Sequence, residues 1–210
     1  MLLFATLISG PDSDAFLTKV ESISASLGYN PNWLMAVMHS ETGGKYTANV
    51  RNPISGATGL IQFMPSTATW LGTSTIALAA MSRTTQLDYV YKYYQRWQQA
   101  GKVAKSYTDL YMITFYPYAV GKPDSFILGS EVSETRARSI AAQNNFDYDK
   151  DGYISVADFK QFVFRKYIMN YVPENMMYLL SSPAGTVAGV SISIGILAIG
   201  SFLIYKLIRR

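Results

Sequence analysis

The chain has 210 residues, 49% of them apolar and 15% charged, with a formal net charge of +4. That allows one compact domain with a sizeable core plus an appendage. The basic excess is diffuse until the last five residues, which argues against a nucleic-acid partner, and the absence of cysteine excludes disulfides and thiolate chemistry.

Residues 1–9 are apolar but short, lack a basic start and a small-residue cleavage motif, and run directly into Asp12 and Asp14. They read as a helix of the domain rather than a signal peptide. Asn30-Pro31 predicts a helix start, an N-cap followed by proline at the first helical position. Residues 32–41 then carry Trp33, Leu34, Val37 and Met38 at helical spacing, and Gly43-Gly44 ends the run. A loop rich in Asn, Pro, Ser and Gly spans 47–59, and residues 60–70 regain helical character. From Thr84 an amphipathic helix carries Leu87, Tyr91, Tyr94 and Trp97 and ends at Gly101. Residues 109–116 form an apolar helix stopped by Pro117, and 121–123 a turn. Residues 136–145 and 156–171 read as helices flanking an acidic loop. No strand pattern and no repeat emerges, so the fold class is mainly α.

Glu41 is the strongest candidate for chemistry. Val37 and Met38 lie one turn back, so its carboxyl belongs at the edge of the core. It also ends a helix, where the backbone dipole is negative. Both effects disfavour the ionised form. A general acid for glycosidic cleavage needs that shift, toward ~6.

The sequence around it resembles a known family. Met38-His39-Ser40-Glu41-Thr42-Gly43-Gly44, followed by Ser55-Gly56-Ala57-Thr58-Gly59-Leu60-Ile61-Gln62, is similar to the soluble lytic transglycosylase and goose-type lysozyme family. That family pairs an E-S/T motif at a helix end with a downstream G-L-M-Q motif, whose Met is Ile61 here. Residues 63–68 resemble the continuation seen in phage members. Tyr116-Pro117-Tyr118-Ala119-Val120-Gly121 falls where the family has A-Y-N-A-G, with Tyr116 as the matching tyrosine and Pro117 in place of Asn. The resemblance covers roughly residues 15–130.

It implies a lysozyme-like helical domain over 1–135. The activity implied is a peptidoglycan lytic transglycosylase acting on the β-1,4 bond between N-acetylmuramic acid and N-acetylglucosamine. Glu41 would serve as acid and then base, while the muramoyl 6-hydroxyl closes a 1,6-anhydro ring. No cofactor is needed for that chemistry. Gln62, Tyr116, Ser55 and Gly59 are the implied substrate-binding positions. No second carboxylate lies between Thr42 and Gln86, although Asp88 or Asp109 could fold back to give a hydrolytic lysozyme. A non-catalytic glycan-binding protein of a virion is the rival from another class. His39 lies two residues from Glu41, on another helix face, and is not expected to take part.

Residues 147–158 match an EF-hand calcium loop. Asp147, Asp149 and Asp151 occupy positions 1, 3 and 5, Gly152 position 6, and Ser155 position 9, with Tyr153 offering its backbone carbonyl. Position 12 is Asp158 rather than Glu, which narrows the advantage of calcium over magnesium. A lone hand suggests a structural Ca2+ clamping an EF-hand-like helix–loop–helix over 136–172.

A linker over 173–183 leads to residues 184–205, about 22 residues without a charge, or ~33 Å as a helix against ~30 Å of hydrocarbon. A basic tail, 206–210, closes it. The expectation is a single-pass membrane protein with a C-terminal transmembrane helix in the lipid bilayer. Its domain would lie on the peptidoglycan-facing side, a virion membrane being one setting. Gly185 and Gly189 are a small-residue pair that lets two such helices approach, a route to a homodimer or to virion assembly.

Overall fold

The computed structural model describes residues 2–168, 170, 172 and 177–181. Among them the regular elements are helical, with only isolated β-bridges. The mainly α expectation holds.

The central element is α2, Pro31–Thr42, in which every residue from Asn32 to His39 is buried. A helix apolar all round must be covered on all sides. Helix α1, Ser13–Leu27, covers one flank with Phe16, Val20, Ile23 and Leu27. Helix α6, Tyr107–Phe115, packs on another with Leu110, Met112 and Ile113. The long helix α5, Arg83–Gln99, lies against α1 and adds Leu87, Val90 and Tyr94. Each such large apolar side chain removed from water contributes ~1.5–3 kcal/mol. Both ends of α2 form as the sequence predicts. The Asn30 side chain accepts the Asn32 N–H, and the Gly43 and Gly44 N–H groups close on the carbonyls of Ser40 and His39.

Three expectations change. In place of the helix expected over 1–9, residues 2–9 hold a single 3-10 turn, Ala5–Leu7, because Phe4 takes a left-handed conformation and the Leu3 N–H turns to the Asn32 side chain. Residues 60–64 are a turn rather than helix, and α3 begins only at Pro65 (Pro65–Trp70). A short α4, Thr75–Ala80, and α1 itself occupy stretches to which the sequence reading assigned no element.

Beyond α6 come α7, Glu134–Gln143, the acidic loop, and α8, Val156–Phe162, continued by a π-helical turn Val163–Ile168. This unit shares the core, since Ile154, Val156, Phe159 and Val163 all belong to the one buried cluster. Within the stretch read as a linker, residues Tyr178–Ser181 form a helical turn, α9, packed on α2.

The expected span at 184–205 lies outside the described residues. Among the described residues no helix is long and apolar enough to cross a membrane, so the single-pass localisation has no support in the structure. The most completely buried helix, α2, has 12 residues against the ~20 a bilayer needs.

Candidate active site

Glu41 sits in the last turn of α2, half-buried, with Val37 and Met38 wholly buried one turn back. Burial pushes its pKa from the ordinary 4.5 to about 7, opposed by a hydrogen bond from the Tyr111 hydroxyl. Tyr111 lies 2.7 Å from the Ser40 hydroxyl, so Ser40, Tyr111 and Glu41 form a short relay between α2 and α6. Tyr93 and Tyr94 of α5 also face the carboxyl closely enough for its charge to disfavour their ionisation. Their hydroxyls are engaged with the Ile113 carbonyl and with Thr114, at 2.7 Å each. A carboxyl in such surroundings keeps its proton near neutral pH and can release it to a leaving oxygen.

The turn carrying the second motif is tightly built. Thr58 and Phe63 exchange two backbone hydrogen bonds, and the Gln62 N–H donates to the Gly59 carbonyl, 3.1 Å. Gln62 adopts a left-handed conformation, and its amide donates to the carbonyls of Val50 and Gly59, at 3.1 and 3.0 Å. The buried Gln86 closes the turn from behind. Its oxygen accepts the Leu60 N–H at 2.7 Å while its amide donates to Ala48 and Leu78. Gly59 has φ +88°, and a Cβ there would come within 2.3 Å of the Gln86 oxygen. Ser55 is exposed at the loop tip, where its hydroxyl accepts the Ala57 N–H.

Tyr116 ends α6, and its hydroxyl donates to Glu131; burial and then that contact push its pKa up to about 12. The tyrosine recorded on Glu41 is Tyr111. Tyr116 lies one residue past the end of α6, with φ −148° and ψ 77°, so it does not continue the helical face that carries Tyr111. Sequence reading missed Tyr111, Gln86 and the part played by Ser40. The available signal for Tyr111 was that it sits mid-helix among buried residues, where a hydroxyl needs a partner. His39 is buried and stacked on Phe4, with centroids 4.1 Å apart, and burial lowers its pKa. Asp88 pairs with Lys19 at 2.8 Å and Asp109 accepts the Lys105 N–H at 3.0 Å.

In the acidic loop, Asp147, Asp149 and Asp151 bring carboxylate oxygens within 4.8 Å of one another. The Gly152 N–H donates to Asp147, the Asp151 N–H to Asp149 and the Tyr153 N–H to Asp151. Asp147 Oδ1 is buried with no hydrogen-bond partner, which fits a cation ligand. Tyr153 bonds Glu134 through its hydroxyl. Ser155 and Asp158 are turned to each other in a capping box at the start of α8, Asp158 accepting the Ser155 N–H and Ser155 accepting the Asp158 N–H. Three of the expected ligands are therefore gathered and two serve the helix.

Residues 20–108, less than half of the chain, match a family described as the transglycosylase SLT domain. The matched segment contains Glu41, Gln62, Gly59 and Gln86 but stops short of Tyr111. No curated protein and no solved structure matches the chain. The enzyme class defined by this domain is the peptidoglycan lytic transglycosylase, and members of the family cleave the cell-wall glycan.

Proposed function

We propose that the protein cuts the bond between N-acetylmuramic acid and N-acetylglucosamine with Glu41 as its one catalytic carboxyl. Glu41 gives its proton to the departing glycosidic oxygen of N-acetylglucosamine as the C1–O bond breaks. The resulting carboxylate then takes the proton of the muramoyl 6-hydroxyl, whose oxygen bonds to C1 and closes the 1,6-anhydro ring. The carrying observation is a carboxyl raised to about 7 by burial among tyrosines, with Asp88 and Asp109 both engaged elsewhere. The likeness of residues 63–68 to phage members supports a role in phage wall penetration or lysis. Purified sacculi incubated with the full chain should yield anhydro-muropeptides by mass spectrometry. Glu41→Gln should cut their release by ~10³-fold or more, within the range for losing a general acid. Reducing ends in place of anhydro ends would make the enzyme a hydrolase.

We further propose that the 147–158 loop holds a structural Ca2+, with Mg2+ as competitor. The carboxylates of Asp147, Asp149 and Asp151 and the carbonyl of Tyr153 would hold it, and the ion would neutralise their mutual repulsion. The buried, unpartnered Asp147 oxygen supports this. Calorimetric melting of the full chain should move to higher temperature with calcium and lower with chelator; identical melting curves would remove the site.

A further inference from the structure

The helix–loop–helix lies outside the matched segment, yet its central side chain touches the relay that ends on Glu41. Phe159 of α8 is fully buried and packs edge-to-face on Tyr111, with centroids 5.7 Å apart at 68°. It is held from the other sides by Phe115, stacked at 5.5 Å, and Phe146, at 5.1 Å. The helix that carries it is fastened at its start. The Val156 N–H donates to the Phe126 carbonyl, the Ala157 N–H to that of Asp124, and the Leu128 N–H to that of Ile154. Tyr111 has only two side-chain torsions, so once its ring is confined the place of its hydroxyl is fixed. That hydroxyl meets Ser40 and Glu41.

We infer that Phe159 is a positioning residue for Glu41, acting through the Tyr111 ring, so that the helix–loop–helix is a working part of the catalytic centre. The inference rests on Glu41 being the acid/base proposed above. A merely space-filling Phe159 would contribute stability and leave the chemistry of Glu41 alone. A positioning Phe159 also sets the pH at which Glu41 loses its proton, because the Tyr111 bond favours the carboxylate. The titratable groups recorded facing Glu41 are Tyr93 and Tyr94 from α5 and Tyr111 from α6. Among the described residues no ion pair involves Glu41. A moved Tyr111 is therefore the direct route by which α8 can reach its titration.

The test is the pH profile of muropeptide release from sacculi by the full chain. Tyr111→Phe should move the alkaline limb up by about one pH unit, the scale of one hydrogen bond to a charged group. Phe159→Leu should move it in the same direction, and the double variant no further than Tyr111→Phe alone. Ile140→Ala, which loosens α7 where it packs by Gly129, should lower the melting temperature and leave the limb in place. An unmoved limb in Phe159→Leu, or shifts that add in the double variant, would overturn the inference. Should Phe159→Leu not fold, Phe159→Met takes its place, with the Glu41 carboxyl titrated directly by carbon-13 NMR. Activity surviving in Glu41→Gln defeats the acid/base reading itself. An inactive Glu41→Gln beside an unmoved Phe159→Leu limb defeats only the coupling.

Discussion

The surroundings of Glu41 and the acidic loop handle carboxyl groups in opposite ways. At Glu41 one half-buried carboxyl faces Tyr111, Tyr93 and Tyr94, whose hydroxyls are bonded to Ser40, the Ile113 carbonyl and Thr114. In the loop three carboxylates converge, each receiving a backbone N–H, and one buried oxygen is left over. The first region is complete as protein. The second leaves one buried carboxylate oxygen without a hydrogen-bond partner, as the proposed ion would require. Damage to the first should therefore be insensitive to added ions, and damage to the second sensitive to them.

The largest effect is expected at Gly59. In Gly59→Ala the new methyl meets the Gln86 oxygen, which is fixed by the Leu60 N–H, in a backbone conformation that side chains avoid. A loss of ~3 kcal/mol or more is expected in denaturant unfolding, equal with and without calcium. Gly43→Ala, left-handed but with nothing within 4 Å, should cost only ~1 kcal/mol, so similar losses at the two glycines would deny Gln86 its clamping role.

Glu41 itself gives the next effect. The native state keeps a proton that the unfolded chain loses between pH 4.5 and about 7, so stability falls as pH rises through that window and is level above it. Glu41→Gln removes the penalty. It should match the parent near pH 4 and exceed it by up to ~3 kcal/mol near pH 8. Equal stability at both pH values would mean that the carboxyl is solvated.

The catalytic half was legible to the extent that its signals are local. An Asn-Pro start, an apolar run, a Glu and two glycines specify a capped, buried helix without reference to the rest of the chain. Gln86 was not legible, because a polar residue 24 positions beyond Gln62 gives no local sign of reaching back to a turn. The place of Tyr111 beside Ser40 was not legible for a related reason. Which face of α6 meets Glu41 depends on how that helix is rotated against α2, a property of packing rather than of spacing. Helix α1 had a readable period, with Phe16, Val20, Ile23 and Leu27 three and four apart. Asp158 and Ser155 show the limit of a motif, since a ligand position and a helix cap call for the same residue types.

The smallest effect tests that overlap. Asp158→Ala should cost ~1 kcal/mol through the lost cap. If the loss and the calcium affinity measured by titration calorimetry do not change together, Asp158 serves the helix alone; coupled changes would give it both duties.

The turn at 178–181 places one more constraint on how the molecule is deployed. The Asn30 amide and the Trp33 indole donate to the carbonyls of Leu179 and Leu180, each at 2.7 Å, so the chain is moored at the start of α2. Glu41 lies at the opposite end of that helix, ~16 Å along its axis. Anything attached downstream of residue 181 would thus leave the domain beside the start of α2, at the end of that helix opposite Glu41.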